Sequence, residues 1–246
     1  MNAGAYMYDQ ILISCPFTLV DLKLHDHHRN AACCVVSDLV PLKTPKFFGR
    51  KSELEQIHQY FDDDSSETKI IVLYGLGGLG KTQLVLQYWT ESAEQYCSRI
   101  WVDATSLETA LESFQEVVAK LGRKLPSAAP HASPIAAYST AKMVFADVKR
   151  WLSELPNCRW LMVIDNVEDL DLEFHIRDLL PACRNGRIIV TSTQSETTTA
   201  VEAEGIEISE IDNEAGRAIL VHRFPKVPNS EEGKHLLKIR HNLAGD

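Results

Sequence analysis

Ile70 to Tyr74 is a short apolar run that leads straight into Gly75-Leu76-Gly77-Gly78-Leu79-Gly80-Lys81-Thr82, a fit to the pattern G-x-x-x-x-G-K-[ST]. The run reads as a buried strand. Behind the glycines, Gln83 to Tyr96 has few breakers and places Leu84, Val85 and Tyr88 at helical spacing. A strand, a glycine loop and a helix in that order constrain both fold and chemistry. Residues without a Cβ let backbone N–H groups point at a phosphate, and the helix N-terminus behind them adds partial positive charge. Lys81 stands where it reaches β- and γ-phosphates, and the Thr82 hydroxyl where it holds Mg²⁺. The chain is therefore expected to bind a nucleoside phosphate.

The same letters contain Gly75-x-Gly77-x-x-Gly80, the dinucleotide fingerprint, and Asp103 follows the next apolar run where a ribose-binding acid would sit. Lys81-Thr82 decides between the two readings. A dinucleotide turn needs no lysine, whereas a triphosphate site uses both residues.

Other segments supply the rest of a layered fold. Arg99 to Val102 reads as a strand ending at Asp103, and Ser106 as the N-cap of a helix through Leu121 that Gly122 stops. Pro126 to Ala137 reads as a flexible connection, followed by a helix from about Ser139 to Leu155 stopped by Pro156. Trp160 to Ile164, closed by Asp165, and Arg187 to Thr191 are continuous strands, Gly205 to Ile208 is a weaker one, and Asn213 to Phe224 is helical. Strands that alternate with helices and are apolar on both faces predict an α/β, three-layer P-loop NTPase fold: a mostly parallel five-stranded sheet with helices on both faces. Ligands in such folds sit beyond the carboxyl ends of the strands, so the glycine loop, Asp103, Asp165 and Thr191 are expected to gather at one sheet edge.

Asp165 has a specific expected task. A triphosphate site needs a carboxylate to organise Mg²⁺, and an apolar strand ending in an acid about 80 residues after the glycine loop supplies it. It is the one catalytic candidate on this ground, as a metal-organising residue with Thr82. Asp103 and Glu168 are the acids available as a catalytic base.

Upstream, residues 1–40 show no sustained period and read as an arm or the remnant of a preceding domain. Pro41 to Pro45 is an extended lead-in. Phe47-Phe48-Gly49-Arg50 reads as a turn with two exposed aromatics, and Ser52 as the N-cap of a helix to Phe61 through Leu54 and Ile57. The net charge of −9, without a lysine or arginine cluster, argues against nucleic acid as a partner. Six cysteines without C-x-x-C spacing read as reduced thiols of a cytoplasmic protein. His25-Asp26-His27-His28 near Cys33-Cys34 collects metal-ligand types without the spacing of a closed site. No apolar stretch reaches the roughly 18 residues of a membrane span. Ile11 to Val20 contains Pro16 and follows Asp9 without a basic segment, so a signal peptide is not expected either.

Together these segments resemble the NB-ARC domain of the STAND class of P-loop NTPases, found in plant resistance proteins, animal apoptosis adaptors and fungal NOD-like receptors. Phe47 to Leu54 is similar to the family's first motif, which lies against the adenine, and Gly75 to Thr82 to its GxGGxGKT loop. Arg99 to Ala104 resembles its second strand, Trp160 to Val167 its Walker B segment, Gly186 to Thr191 its sensor strand, and Ile206 to Leu220 its V-x-x-L-x-x-x-E-A-x-x-L-L segment. The resemblance implies an NB-ARC domain over 41–225 and the start of a helical subdomain over 226–246, cut short before the family's lid. It implies ADP/ATP and Mg²⁺ as ligands, held by Phe48, Gly49, Arg50, Gly75, Gly77, Gly78, Leu79, Gly80, Lys81, Thr82 and Gln83, with Thr82 and Asp165 for the metal. It also implies a switch in innate-immune signal transduction, closed with ADP and opened with ATP, that oligomerises in a full-length relative.

Two further departures bear on turnover. Many members follow the Walker B acid with a second acid that assists water attack, where this chain has Asn166; an amide takes no proton. Members usually carry an arginine two residues after the sensor threonine, where this chain has Thr193, losing a charge-assisted contact worth about 1.5 to 3 kcal/mol. The expectation is an adenine-nucleotide switch module with slow or absent ATP hydrolysis. The competing classes are a P-loop ATPase or kinase proper, which requires a catalytic base, and an inactive fragment of a larger receptor.

Overall fold

Apolar runs rich in β-branched and aromatic residues form β1 (Lys69–Tyr74), β2 (Ser98–Asp103), β3 (Trp160–Val167) and β4 (Gly186–Ser192), and β5 (Glu204–Glu207) is a short fifth strand around Ile206. The computed structural model describes residues 36–62, 66–121, 134–154, 159–167, 176–181 and 183–223. All strand pairs are parallel, in the order β2-β3-β4-β1-β5. The helices are α1 (Lys51–Phe61), α2 (Lys81–Glu91), α3 (Leu107–Lys120), α4 (Pro134–Glu154), α5 (Ile176–Leu179), α6 (Glu196–Val201) and α7 (Asn213–Arg223).

Alternation along each strand divides the core between two faces. Ile71, Leu73, Trp101, Leu161, Val163 and Ile189 cluster with Ile57 and Phe61 of α1 and with Leu84, Val85 and Tyr88 of α2. The intervening Val72, Ile100, Val102, Met162, Ile164, Ile188 and Val190 are equally buried and so point to the opposite face. α3 and α4 pack together, joined by Phe114 and Phe145 with ring centroids 4.6 Å apart. The expected α/β sheet with helices on both faces is present, and it is parallel throughout the described residues.

Helix starts follow local chemistry, and some differ from the sequence expectation. Ser106 caps α3 in a capping box with Thr109, as expected. Ser52 is not the cap of α1. Gly49 (φ 66°) and Arg50 (φ 58°) are both left-handed, and the Leu54 N–H already bonds to the Arg50 carbonyl, so Ser52 lies inside the first turn with its hydroxyl on Glu53. α4 begins at Pro134 rather than near Ser139, because proline is pre-organised for a first helical position and the following alanines favour the helix. α2 stops at Glu91, short of Tyr96: the Ser92 hydroxyl bonds back to the Tyr88 carbonyl and a 3₁₀ turn follows at Ala93–Gln95. Phe47 and Phe48 are half-buried, not exposed, and Phe47 packs on the α1/α2 core.

The chain also extends the sheet before Pro41. Val36 makes a parallel bridge with Arg99 on the outer side of β2, and Ser37 donates its N–H to the Arg99 carbonyl at 2.9 Å. The expectation of reduced thiols fails at Cys97, which is disulfide-bonded. Its N–H bonds to the Arg159 carbonyl, so segments far apart in sequence run side by side there, a proximity that cysteine spacing does not reveal. Cys183 is a free thiol whose pKa burial raises. The expectations for residues 1–35, 122–133, Leu155, Pro156, Glu168 and 224–246 lie outside the described residues. Among the described residues no helix is long and apolar enough to cross a membrane.

Candidate nucleotide site

The strand order brings three sequence-distant segments to one place. β4 lies between β1 and β3, so Thr191 near its end stands between the glycine loop after β1 and Asp165 on β3. Asp165 is 2% exposed, and three bonds from two hydroxyls reach its carboxylate. Thr191 Oγ1 donates to Oδ1 at 2.5 Å, and Thr82 Oγ1 lies 3.0 and 3.2 Å from the two oxygens. Burial raises the Asp165 pKa, the Thr191 and Thr82 hydroxyls hold it back, and neighbouring Asp103, its register partner on β2, pushes the same way as burial.

Directly after Asp165 the ladder slips. Ile164 pairs with Val190 but Val167 pairs with Ser192, so β3 carries one extra residue there. Asn166 takes up the extra length in the left-handed region at φ 64°, where asparagine and aspartate are tolerated better than other side-chain-bearing residues. Its N–H bonds to the Thr191 hydroxyl at 2.9 Å, and the residue itself is exposed.

The glycine loop has two kinds of glycine. Gly75 (φ 145°) is forced by packing, since a Cβ there would stand 2.4 Å from the Ile208 carbonyl oxygen. Gly77, Gly78 and Gly80 face open space, with nothing within 4 Å of an added Cβ. They border a cavity of about 340 Å³ lined also by Lys81, Thr82, Gln83, Asn166, Thr191, Ser192 and Thr193. The first turn of α2 opens into it, with the unpaired N–H groups of a helix start. Lys81 is mostly buried, its Nζ donating to the Gly75 and Leu76 carbonyls at 2.6 and 2.9 Å. Loop glycines around open space, a lysine on the loop and a hydroxyl beside a buried carboxylate fit a phosphate group with Mg²⁺. Among the described residues no cluster of three His, Cys, Asp or Glu offers a metal cage. A metal bound here takes most of its shell from phosphate and water, the habit of Mg²⁺.

Of the remaining expected residues, Phe48, Gly49 and Arg50 lie apart from the phosphate cavity. Phe48 is 5.5 Å from the His222 ring and lies under Lys46 Nζ at 5.0 Å. With Asn213, Glu214, Arg217, Ala218 and Val221 these residues line a second, more open cavity of about 860 Å³. Gly49 presses on α7, where a Cβ would meet Ala215 at 2.8 Å. Arg50 connects the two regions: its guanidinium reaches Glu53 at 2.8 Å, the Leu79 carbonyl at 3.2 Å and the Ser209 carbonyl at 2.5 Å. The Gln83 side chain turns to Leu42 and Thr44. Asp103 is occupied as a strand-end cap, its Oδ1 accepting from the N–H and hydroxyl of Thr105 at 3.0 and 2.5 Å. Sequence reasoning missed Ser192 as a cavity residue and the α7 residues opposite Phe48; the only prior signal for Ser192 was its place beside Thr191 at a strand end.

Residues 46–183 match the AAA ATPase domain family. The chain belongs to that family. A nucleotide-binding leucine-rich repeat (NLR)-like protein of Hyaloscypha variabilis is 24% identical over 171 residues, covering 63% of this chain and 16% of its own length. The disease resistance protein RGA2 of Solanum bulbocastanum is 25% identical over 169 residues, 65% of this chain and again 16% of its own. A STAND protein with a tetratricopeptide repeat sensor from Pyrococcus horikoshii aligns over 81% of this chain and 28% of its own, with a TM-score of 0.42 at 16% identity, a likeness of fold alone. The resemblance to NLR-like and plant NB-ARC disease resistance proteins holds, and this ATPase-family chain spans about a sixth of the length of the curated relatives it matches.

Proposed function

We propose that this chain is the nucleotide-holding part of a signalling switch, binding ADP or ATP with Mg²⁺ and hydrolysing ATP slowly or not at all. One observation carries the reading: next to the phosphate cavity the nearest carboxylate, Asp165, is buried and bonded by the Thr82 and Thr191 hydroxyls, while the residues that line the cavity beside it are Asn166 and Thr193, neither a base nor a cation. Backbone N–H groups of the loop and of the α2 start bind the phosphates, with Lys81 released from its loop carbonyls to join them. Thr82 and Asp165 would hold Mg²⁺, which would supply charge neutralisation on the phosphates. Attack on a γ-phosphate further needs a group that orients water and takes its proton. Asn166 can hold a water by hydrogen bonding and takes no proton, and Thr193 offers no positive charge.

The base is assigned to the Phe48 side, where Arg50 ties the lead-in to the glycine loop. The similarity to an NLR-like protein and a disease resistance protein supports the signalling role, and a place in the cytoplasm and oligomerisation are part of the proposal. Asp103, closed into its turn with Thr105, disfavours a kinase-like reading that would use it as a base.

Thermal unfolding with ADP, ATP or GTP, each with Mg²⁺, tests the proposal. Adenine nucleotides are expected to stabilise the chain by about 2.7 kcal/mol at a hundred times Kd, and Lys81→Ala to abolish the shift. No shift with any nucleotide overturns the binding reading, and a preference for GTP overturns the base assignment. ATP turnover near ~1 s⁻¹ or faster, lost in Lys81→Ala, overturns slow hydrolysis.

A further inference from the structure

Residues 36 to 50 are pinned at both ends. At the start, Ser37 bonds to Arg99, its Oγ accepts the Trp101 N–H at 3.0 Å, and Asp38 pairs with Lys120 at 2.9 Å. At the end Arg50 is buried against the Leu79 and Ser209 carbonyls. Between the anchors Val40 and Phe47 pack on the core, while the stretch from Pro41 to Lys46 is open to solvent, with Leu42 93% exposed. What holds this middle stretch is the amide of Gln83. Its Oε1 accepts the Thr44 N–H at 2.9 Å and its Nε2 donates to the Leu42 carbonyl at 3.1 Å, giving and taking one bond on alternate residues as a neighbouring strand does.

Gln83 also belongs to the first turn of α2 and lines the phosphate cavity. We propose that Gln83 is a positioning residue that links occupancy of this cavity to docking of the lead-in around Leu42 to Thr44. The inference rests on the nucleotide-binding reading. Exposed backbone bonds compete with water and are individually weak, so the docked state depends on how firmly Gln83 itself is held. A phosphate gripping the N–H groups of the α2 start immobilises the Gln83 backbone and so favours the two lead-in bonds. By linkage, a docked lead-in raises nucleotide affinity by the same factor, and a pull on the chain before Leu42 is felt at the cavity. The lead-in then acts as a strap whose order reports the state of the site.

The Lys43–Thr44 peptide bond carries the N–H that Gln83 holds, and trypsin cuts after lysine, so limited proteolysis of the full chain reads the strap directly. ADP with Mg²⁺ is expected to slow cleavage at this bond by about five-fold or more. In Gln83→Ala the bond is cut equally fast with and without ADP, and ADP affinity falls by about two- to ten-fold. Gln83→Glu, which keeps the acceptor for Thr44 and loses the donor for Leu42, gives intermediate protection. Thr44→Pro removes the donor from the strap without touching the cavity and is expected to lower ADP affinity by a similar factor. Thermal shifts measured on the same samples separate the possible failures. If ADP binds the wild-type chain yet leaves cleavage unchanged, or if Gln83→Ala keeps wild-type protection and affinity and Thr44→Pro, in which trypsin no longer cuts after Lys43 and affinity alone is read, keeps wild-type affinity, the strap is overturned and the nucleotide site stands. If ADP does not bind the wild-type chain, both fall.

Discussion

Replacing Thr191 by valine keeps the side-chain shape and deletes one hydroxyl, but that hydroxyl serves two neighbours. It donates to the buried Asp165 carboxylate at 2.5 Å and accepts the Asn166 N–H at 2.9 Å. A bond to a charged group contributes about 1.5–3 kcal/mol and a neutral one about 0.5–1.5, so Thr191→Val is expected to cost about 2–4 kcal/mol at neutral pH. For a chain of this size that lowers Tm by about 5–15 °C. The cost should depend on pH with a fixed sign. Burial, with Asp103, already raises the Asp165 pKa against the pull of the two hydroxyls. A carboxyl with a raised folded pKa contributes stability that is fully present below its unfolded value of about 3.9 and is lost as pH rises through the folded value. Without Thr191 the folded pKa rises further and the loss grows. The penalty measured by urea unfolding is therefore expected to be about 1–2 kcal/mol larger near pH 7 than in the acid range, the difference between a charged and a neutral bond. An equal penalty at both pH values, or one below about 1 kcal/mol near pH 7, would refute the assignment of Thr191 as the partner of an ionised Asp165.

Asn166→Asp places a carboxylate in the left-handed position that Asn166 already occupies at φ 64°, so folding is little disturbed. Single-turnover ATP hydrolysis is expected to rise by about 10²-fold, the low end of general-base effects; an unchanged rate removes Asn166 as the reason for slow turnover. Gly75→Ala puts a methyl 2.4 Å from the Ile208 carbonyl at a strained φ of 145° and is expected to destabilise by about 3 kcal/mol or more. Thermal unfolding reads this, and a loss under about 1 kcal/mol would show that the loop and the segment after β5 are not rigidly packed.

The parts of the site that were legible in the sequence are those written locally. The glycine loop declares itself because its spacing and its flanking strand and helix are contiguous, and Asp165 because an apolar run ends in an acid. Its neighbourhood is legible and its bonds are not. Strand ends place Thr191 and Thr82 at the same sheet edge as Asp165, but that the Thr191 hydroxyl, from a strand 26 residues away, bonds the carboxylate directly follows only from the order of parallel strands. The bulge at Asn166 leaves no periodic trace, since the apolar run reads as closed at Asp165 and the extra residue falls just beyond it. Arg50 read as a turn residue because nothing near it in sequence predicts the Leu79 and Ser209 carbonyls. Gln83 sits in the loop motif's shadow, and its side chain goes elsewhere.

The bridge at Val36 sets a limit on how this protein can be handled. β2 is an edge strand of six residues, and its outer side is covered in part by Val36 and Ser37, which take up the Arg99 carbonyl and the Trp101 N–H. Trimming the chain to Pro41 would keep every residue around the phosphate cavity and strip that cover. The bared edge is then a template on which a strand from a second molecule can pair, the usual start of sheet-mediated aggregation. The shortest piece that retains the ligand-contacting residues is thus shorter than the shortest piece whose sheet is sealed.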